Sequence, residues 1–140
     1  CNIVAFNGRH LTDGIPKYKI SPRGAKMPLF PTVTPRKGKI ILVEGIFDVI
    51  NLHDKGLTNA VCCFGTQNIN EDKLSMLSMQ GASGIDVFFD GDDAGQEAAV
   101  KIEAMCERTG LLSRNICLKH TDPGALAQPQ VDKLTSKLYA

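Results

Sequence analysis

The sequence predicts an α/β fold: a doubly wound, mainly parallel four-stranded sheet with flanking helices, preceded by a short basic β segment. Three observations predict it. Four short apolar runs, at 40–43, 60–63, 85–89 and 115–118, lack the polar alternation of a one-sided sheet, as expected of strands covered on both faces. Each run leads into a helical stretch, and strand alternating with helix implies right-handed crossovers. Ahead of them lies a cationic stretch rich in proline.

Taken in order, Ile3, Val4 and Phe6 mark a strand over 2–6, and Thr12, Asp13 and Gly14 supply a turn before a second strand over 15–20. Pro22, Pro28, Pro31 and Pro35 make 21–37 an extended connector. Strand 40–43 leads to a helix near 46–56 that Gly56 stops, and strand 60–63 to a helix near 70–80 with Asn70 as its cap. Met76 and Met79 are expected to pack into the core from that helix. Strand 85–89 leads to a helix near 94–109 ended by Gly110, with Asp93 in its first turn or capping it. Strand 115–118 leads to a terminal helix near 125–139. The division is therefore a basic β segment and connector over 1–38 and an α/β domain over 39–140.

The chain has 140 residues, of which 43% are hydrophobic, enough for one good core with an attached segment. No run of eighteen apolar residues is present, so neither a membrane span nor a membrane partner is expected, and there is no secretory signal. The first residue is Cys1, which reads as a piece of a longer chain. Five cysteines without CxxC spacing argue for reduced thiols, hence a cytoplasmic location, and against zinc; Cys62 and Cys63 read as small core residues. The net charge of +1 hides an asymmetry. Residues 1–39 hold eight cations against one acid, a balance of +7, and the remainder eight against fourteen, −6. A basic arm beside an acidic module suits a polyanion held over divalent cations.

The acids carry the chemistry. In DGDDAG at Asp90 to Gly95, Asp90 and Asp92 stand two apart where an apolar strand ends, so their carboxylates point the same way. Like charges that close are costly unless a cation lies between them, and oxygen ligands suit Mg2+ or Mn2+. Glu44 ends the strand at 40–43, with Asp48 one helical turn on, and Asp122 follows the strand at 115–118. Groups at strand carboxyl ends converge on one edge of such a sheet, so Glu44, Asp90 and Asp122 share a site if their strands are neighbours. Each acid also has a plainer explanation: Asp48 could favour its helix dipole, and Asp122 before Pro123 could be a turn residue. His10, His53 and His120 share no spacing with a nucleophile, so no triad is expected.

Glu44 with Gly45 and Asp48, the loop Phe64 to Thr66, DGDDAG and the pair Asp122, Pro123 resemble, in order and spacing, the TOPRIM domain shared by bacterial primases, topoisomerases and certain nucleases. The segment Gly8 to Pro22, GRHLTDGIPKYKISP, resembles the stretch that precedes this domain in the bacterial DNA primase family. The resemblance implies a TOPRIM-type sheet and template-directed synthesis of short RNA primers. It implies Mg2+ or Mn2+ held by Glu44, Asp48, Asp90, Asp92 and Asp122, with Glu44, Asp90 and Asp92 catalytic. Arg9 and Lys17 would hold template or nucleotide phosphates. The implied partners are single-stranded DNA, ribonucleoside triphosphates and a replicative helicase, the last through a region outside this sequence, in a bacterium, phage or mobile element. Two departures stand out: the connector is short, and Gly124 stands where the family often has another acid.

Other classes share part of this pattern. A topoisomerase needs a tyrosine nucleophile, and only Tyr18 and Tyr139 are present. A TOPRIM nuclease would not need the segment around Lys17 and Tyr18. A non-catalytic module would bind metal and nucleic acid without turnover.

Overall fold

The computed structural model describes residues 2–119 and 121–140; Cys1 and His120 lie outside the described residues. A two-stranded antiparallel ribbon comes first, β1 (Phe6–Arg9) against β2 (Tyr18–Ser21), with Arg9 opposite Tyr18. Both strands lie later in the chain than predicted. Pro16 has no N–H to give a ladder, and Ile3 and Val4 meet no apolar surface, being 78% and 79% exposed. The turn is wider than the Thr12–Gly14 signal suggests, closed by His10 N donating to Lys17 O at 2.9 Å.

The connector contains no helix or strand, yet it is fastened to the domain. Phe30 exchanges backbone hydrogen bonds with Cys62, Lys73 Nζ donates to Met27 O at 2.8 Å, and Leu29 and Val33 pack on the core.

Four parallel strands follow: β3 (Lys39–Val43), β4 (Ala60–Cys62), β5 (Gly84–Val87) and β6 (Leu112–Asn115), in spatial order β4-β3-β5-β6. Period-two alternation sends neighbouring side chains of β3 into two separate layers. Ile40 and Leu42 pack with Leu74 and Leu77 of α2 (Glu71–Met79) and with Ala99, Ile102 and Cys106 of α3 (Asp93–Arg108). Ile41 and Val43 pack with Val49 and Leu52 of α1 (Ile46–Asp54) and with Val131 and Leu134 of α4 (Gln128–Tyr139). Both faces are covered over β3, β4 and β5, which is why these strands carry no polar alternation. Cys62 and Cys63 are fully buried, as small core residues.

Local signals set the helix ends. Asn70 Oδ1 accepts from Lys73 N at 3.0 Å to start α2, and Gly56 and Gly110 take left-handed backbone just past α1 and α3. Three expectations fail. Met76 and Met79 are exposed, at 56% and 88%, because Leu74 and Leu77 occupy the inward face of α2. The last strand is Leu112–Asn115 rather than 115–118: as an edge strand paired only with β5 it is largely exposed and polar, so the apolar Ile116 and Leu118 beyond it gave the stronger signal. The terminal helix begins at Gln128, where Pro129 fits a first turn, after a separate 3-10 turn at Pro123–Ala125.

Candidate metal and nucleotide site

From β3 the chain crosses to β4 on one side, then returns past β3 to β5 on the other. This reversal opens a crevice between the carboxyl ends of β3 and β5, the usual place for a site in an open α/β sheet. Glu44 leaves the end of β3, and Asp90 follows the fully buried pair Phe88, Phe89 beyond β5.

The Glu44 carboxylate is pushed above the ordinary range, first by burial, then by the charge of Asp90 and more weakly by Asp48 and Asp92; a hydrogen bond from the Asp90 N–H opposes the rise. Its backbone carbonyl accepts from Gly65 N at 3.1 Å, tying the loop after β4 to the end of β3. Gly65 takes φ +108, so only glycine suits this turn without strain.

Asp48 is the third residue of α1, and its Oδ2 accepts from Gly45 N at 2.9 Å, satisfying an amide ahead of the helix. Burial pushes its pKa up to about 6, with Asp90 and Asp122 adding to the rise. Its other oxygen faces Gly124, where a Cβ would stand 2.8 Å from Asp48 Oδ1 and 3.2 Å from Asp122 Oδ1. The glycine that replaces the family's acid is thus the residue that lets the turn approach two carboxylates. Asn51, one turn along α1, holds that turn by donating Nδ2 to Pro123 O at 2.9 Å and Leu126 O at 3.1 Å. No sequence signal marked Asn51, since its partners lie more than seventy residues away.

Asp90 is raised by burial, then by Asp122 and Asp92, while Lys17 lowers it. Asp92, and not Asp93, caps α3: its Oδ1 accepts from Gly95 N at 2.8 Å, which leaves Oδ2 uncommitted. The glycines of the motif serve close approach. A Cβ on Gly91 would lie 2.4 Å from Leu118 O, and one on Gly95 2.3 Å from Asp90 O.

Glu44, Asp48, Asp90, Asp92 and Asp122 therefore share one edge. They do not form a finished cage: among the described residues, no three His, Cys, Asp or Glu side chains converge closely enough to hold a metal ion. Asp48 and Asp92 each spend one oxygen on a helix N-terminus, and mutual repulsion opposes closer approach. In chemistry the group fits a hard divalent cation, being all carboxylate, partly buried and short of countercharge.

The basic ribbon lies against this edge. Lys17 is near enough to Asp90 to oppose the rise in its pKa, and the Arg9 guanidinium lies 4.9 Å from the Phe47 ring centroid, beside Asp48 in the first turn of α1. His53 is occupied elsewhere, its Nε2 lying 2.8 Å from Ala60 O.

A family model described as Toprim-like matches residues 41–125. The DNA primase of Rickettsia felis is 38% identical over an alignment of 108 residues that covers 71% of this chain and 18% of that protein. A DNA primase domain from Pseudomonas aeruginosa superposes with a TM-score of 0.80 at 31% identity, covering 97% of this chain and 46% of that one. The zinc-binding and RNA polymerase domains of Aquifex aeolicus primase give 0.79 at 26% identity, covering 98% and 36%. The chain spans under a fifth of the length of the curated relatives it matches. No helix among the described residues is long and apolar enough to cross a membrane.

Proposed function

Because the chain belongs to the Toprim-like family, we propose that it forms part of the catalytic core of a DNA primase and takes part in template-directed synthesis of short RNA primers. In this reading residues 1–38 end the preceding subdomain and residues 39–140 are the TOPRIM domain. The observation that carries it is the basic ribbon beside the acidic edge of the sheet, with the Arg9 guanidinium 4.9 Å from the ring centroid of Phe47, the neighbour of Asp48, and Lys17 near enough to Asp90 to lower its pKa. A nuclease of this family would not require that ribbon.

In the reaction, the 3′-hydroxyl of one nucleotide attacks the α-phosphate of the next and pyrophosphate leaves. Mg2+ or Mn2+ held by Asp90, Asp92 and Asp122, with Glu44 and Asp48 beside them, would ease formation of the attacking alkoxide and offset charge on the leaving group. Asp92 has Oδ2 to give, because only Oδ1 is committed to the helix. Glu44, with its pKa raised by burial and neighbouring acids, is a stronger base than an ordinary carboxylate and is suited to accept a proton or to act as a ligand. Lys17 and Arg9 would meet phosphates of template or nucleotide from above the edge, and the expected partners are single-stranded DNA and ribonucleoside triphosphates, with a replicative helicase engaged elsewhere in the longer protein.

A binding module without turnover is the second reading, favoured by the absence of a finished cage among the described carboxylates. One assay separates the classes: single-stranded DNA, labelled ribonucleotides and Mg2+ or Mn2+. Short RNA products that vanish in Asp90→Asn are the expected result. Shortened DNA would indicate a nuclease and overturn the primase reading; metal-dependent DNA binding without product, from a preparation that also holds the rest of the catalytic core, would overturn it in favour of a binding module.

A further inference from the structure

Arg9 is an exposed arginine whose guanidinium stands over Phe47, the residue before Asp48. Among the described residues its guanidinium makes no ion pair and no side-chain hydrogen bond. Two aromatic faces hold it instead: the Tyr18 ring centroid lies 5.7 Å from the guanidinium carbon, and that of Phe47 lies 4.9 Å away. The two rings come from different elements. Tyr18 is the cross-strand partner of Arg9 in the ribbon, whereas Phe47 belongs to the first turn of α1 and is 48% exposed. Asp48, next in the chain, turns its Oδ2 to Gly45 N rather than to the arginine.

An aromatic face attracts a guanidinium without using its N–H groups, so the fork keeps its capacity for bidentate bonds to an anion. Packing on two rings also restricts a long side chain before any ligand arrives, which lowers the entropy cost of binding. Phe47 belongs to neither core layer, so its ring is free to serve the arginine.

We infer that Phe47 is a positioning residue: with Tyr18 it holds Arg9 ready to take a backbone phosphate of a single-stranded nucleic acid entering over the acidic edge. The inference rests on the nucleic-acid reading above and adds to it the residue that aims the cation.

The test measures two things on the 140-residue chain. The Arg9 Nε–Hε resonance, identified by its loss in Arg9→Lys, reports whether the guanidinium sits on aromatic faces. Fluorescence anisotropy with labelled oligothymidine reports phosphate binding. Phe47→Leu should reduce the ring-current shift to what Tyr18 alone supplies and weaken oligothymidine binding roughly two- to five-fold, the range an exposed cation–π contact supports. Phe47→Tyr should preserve both. Arg9→Ala should weaken binding and lower the salt-dependence slope by about one, and Phe47→Leu should then add nothing on that background. Tyr18→Leu provides a second variant of the same contact.

A chain that binds oligothymidine, with neither resonance nor affinity changed by Phe47→Leu, overturns the inference and leaves the functional reading standing. So does an equal loss on the Arg9→Ala background, which would mean that Phe47 touches the nucleic acid itself. A wild-type chain that binds no oligothymidine overturns the functional reading, and the phosphate role of Arg9 with it.

Discussion

Strand β5 and the loop beyond it carry aspartates in two opposite situations. Asp86, inside the strand, is fully buried and answered: Arg114 on β6 donates Nε and Nη2 to its two oxygens, both at 2.9 Å. Asp90, just past the strand, is only partly buried, and its pKa is raised by burial and by neighbouring acids. The more deeply buried carboxylate is thus the better compensated. The Asp86 end of the sheet is cross-tied in other ways. Asn59 Nδ2 donates to Lys39 O and the Tyr139 hydroxyl, the Arg36 guanidinium lies 4.7 Å from the Tyr139 ring centroid, and Lys37 Nζ donates to Tyr139 O. Charges that serve stability are matched one to one within the chain. The acids at the other edge instead raise one another's pKa values.

The contrast is broken most severely by removing the partner of Asp86. Arg114→Met leaves a buried carboxylate alone and should cost about 3–5 kcal/mol of folding stability, read from urea midpoints, whereas the double variant Arg114→Met, Asp86→Leu should recover most of it. A loss below about 1 kcal/mol in the single variant would mean that the pair is not what holds Asp86 in place.

Next in size, and opposite in sign, is the acidic edge. Asp90→Asn with Asp92→Asn keeps the helix cap, since asparagine caps as well as aspartate. Without added metal the melting temperature should stay level or rise, while primer synthesis should fall roughly 100-fold, the scale of losing charge stabilisation at a reacting phosphate. Mn2+ should raise the melting temperature of the wild type, because it binds the folded state, but not that of the variant. Equal Mn2+ stabilisation of both would place the ion elsewhere.

The smallest effect is a pH dependence. Burial and neighbouring acids push the Asp48 pKa up to about 6 in the fold, against 3.8 for a free aspartate. Between those values the folded state keeps a proton that the unfolded chain has released, so stability falls as pH rises through the window and the penalty is complete above about pH 6. Glu44 and Asp90, both raised, act in the same sense. In chelator, Asp48→Asn should therefore melt a few degrees above wild type at pH 7.5, and the gap should close towards pH 3.5. A gap of the same size at both pH values would rule out titration as its cause.

Much of this was legible in the chain. The run Ile40 to Val43 announced a strand covered on both sides, and DGDDAG located a strand end with acids on it. What escaped depended on partners distant in sequence. Asp86 interrupts an apolar run, and the Arg114 that neutralises it lies 28 residues later. Gly124 read as a missing acid until the fold brought Asp48 and Asp122 against it. Asp92 and Asp93 differ by one residue, and only backbone geometry decides which of them caps α3. At β6 the apolar signal sat beyond an exposed edge strand, and the strand shifted accordingly.

The short pairing of Phe30 with Cys62 has a further result. β4 is one margin of the sheet, and a bare margin is a template on which another chain can add a strand. Phe30 occupies the Cys62 amide and carbonyl there, with bonds of 2.7 and 3.1 Å, so the connector blunts that side against self-association. Trimming the chain to begin at Lys39 would bare the Cys62 amide and carbonyl to pairing with a strand of another chain.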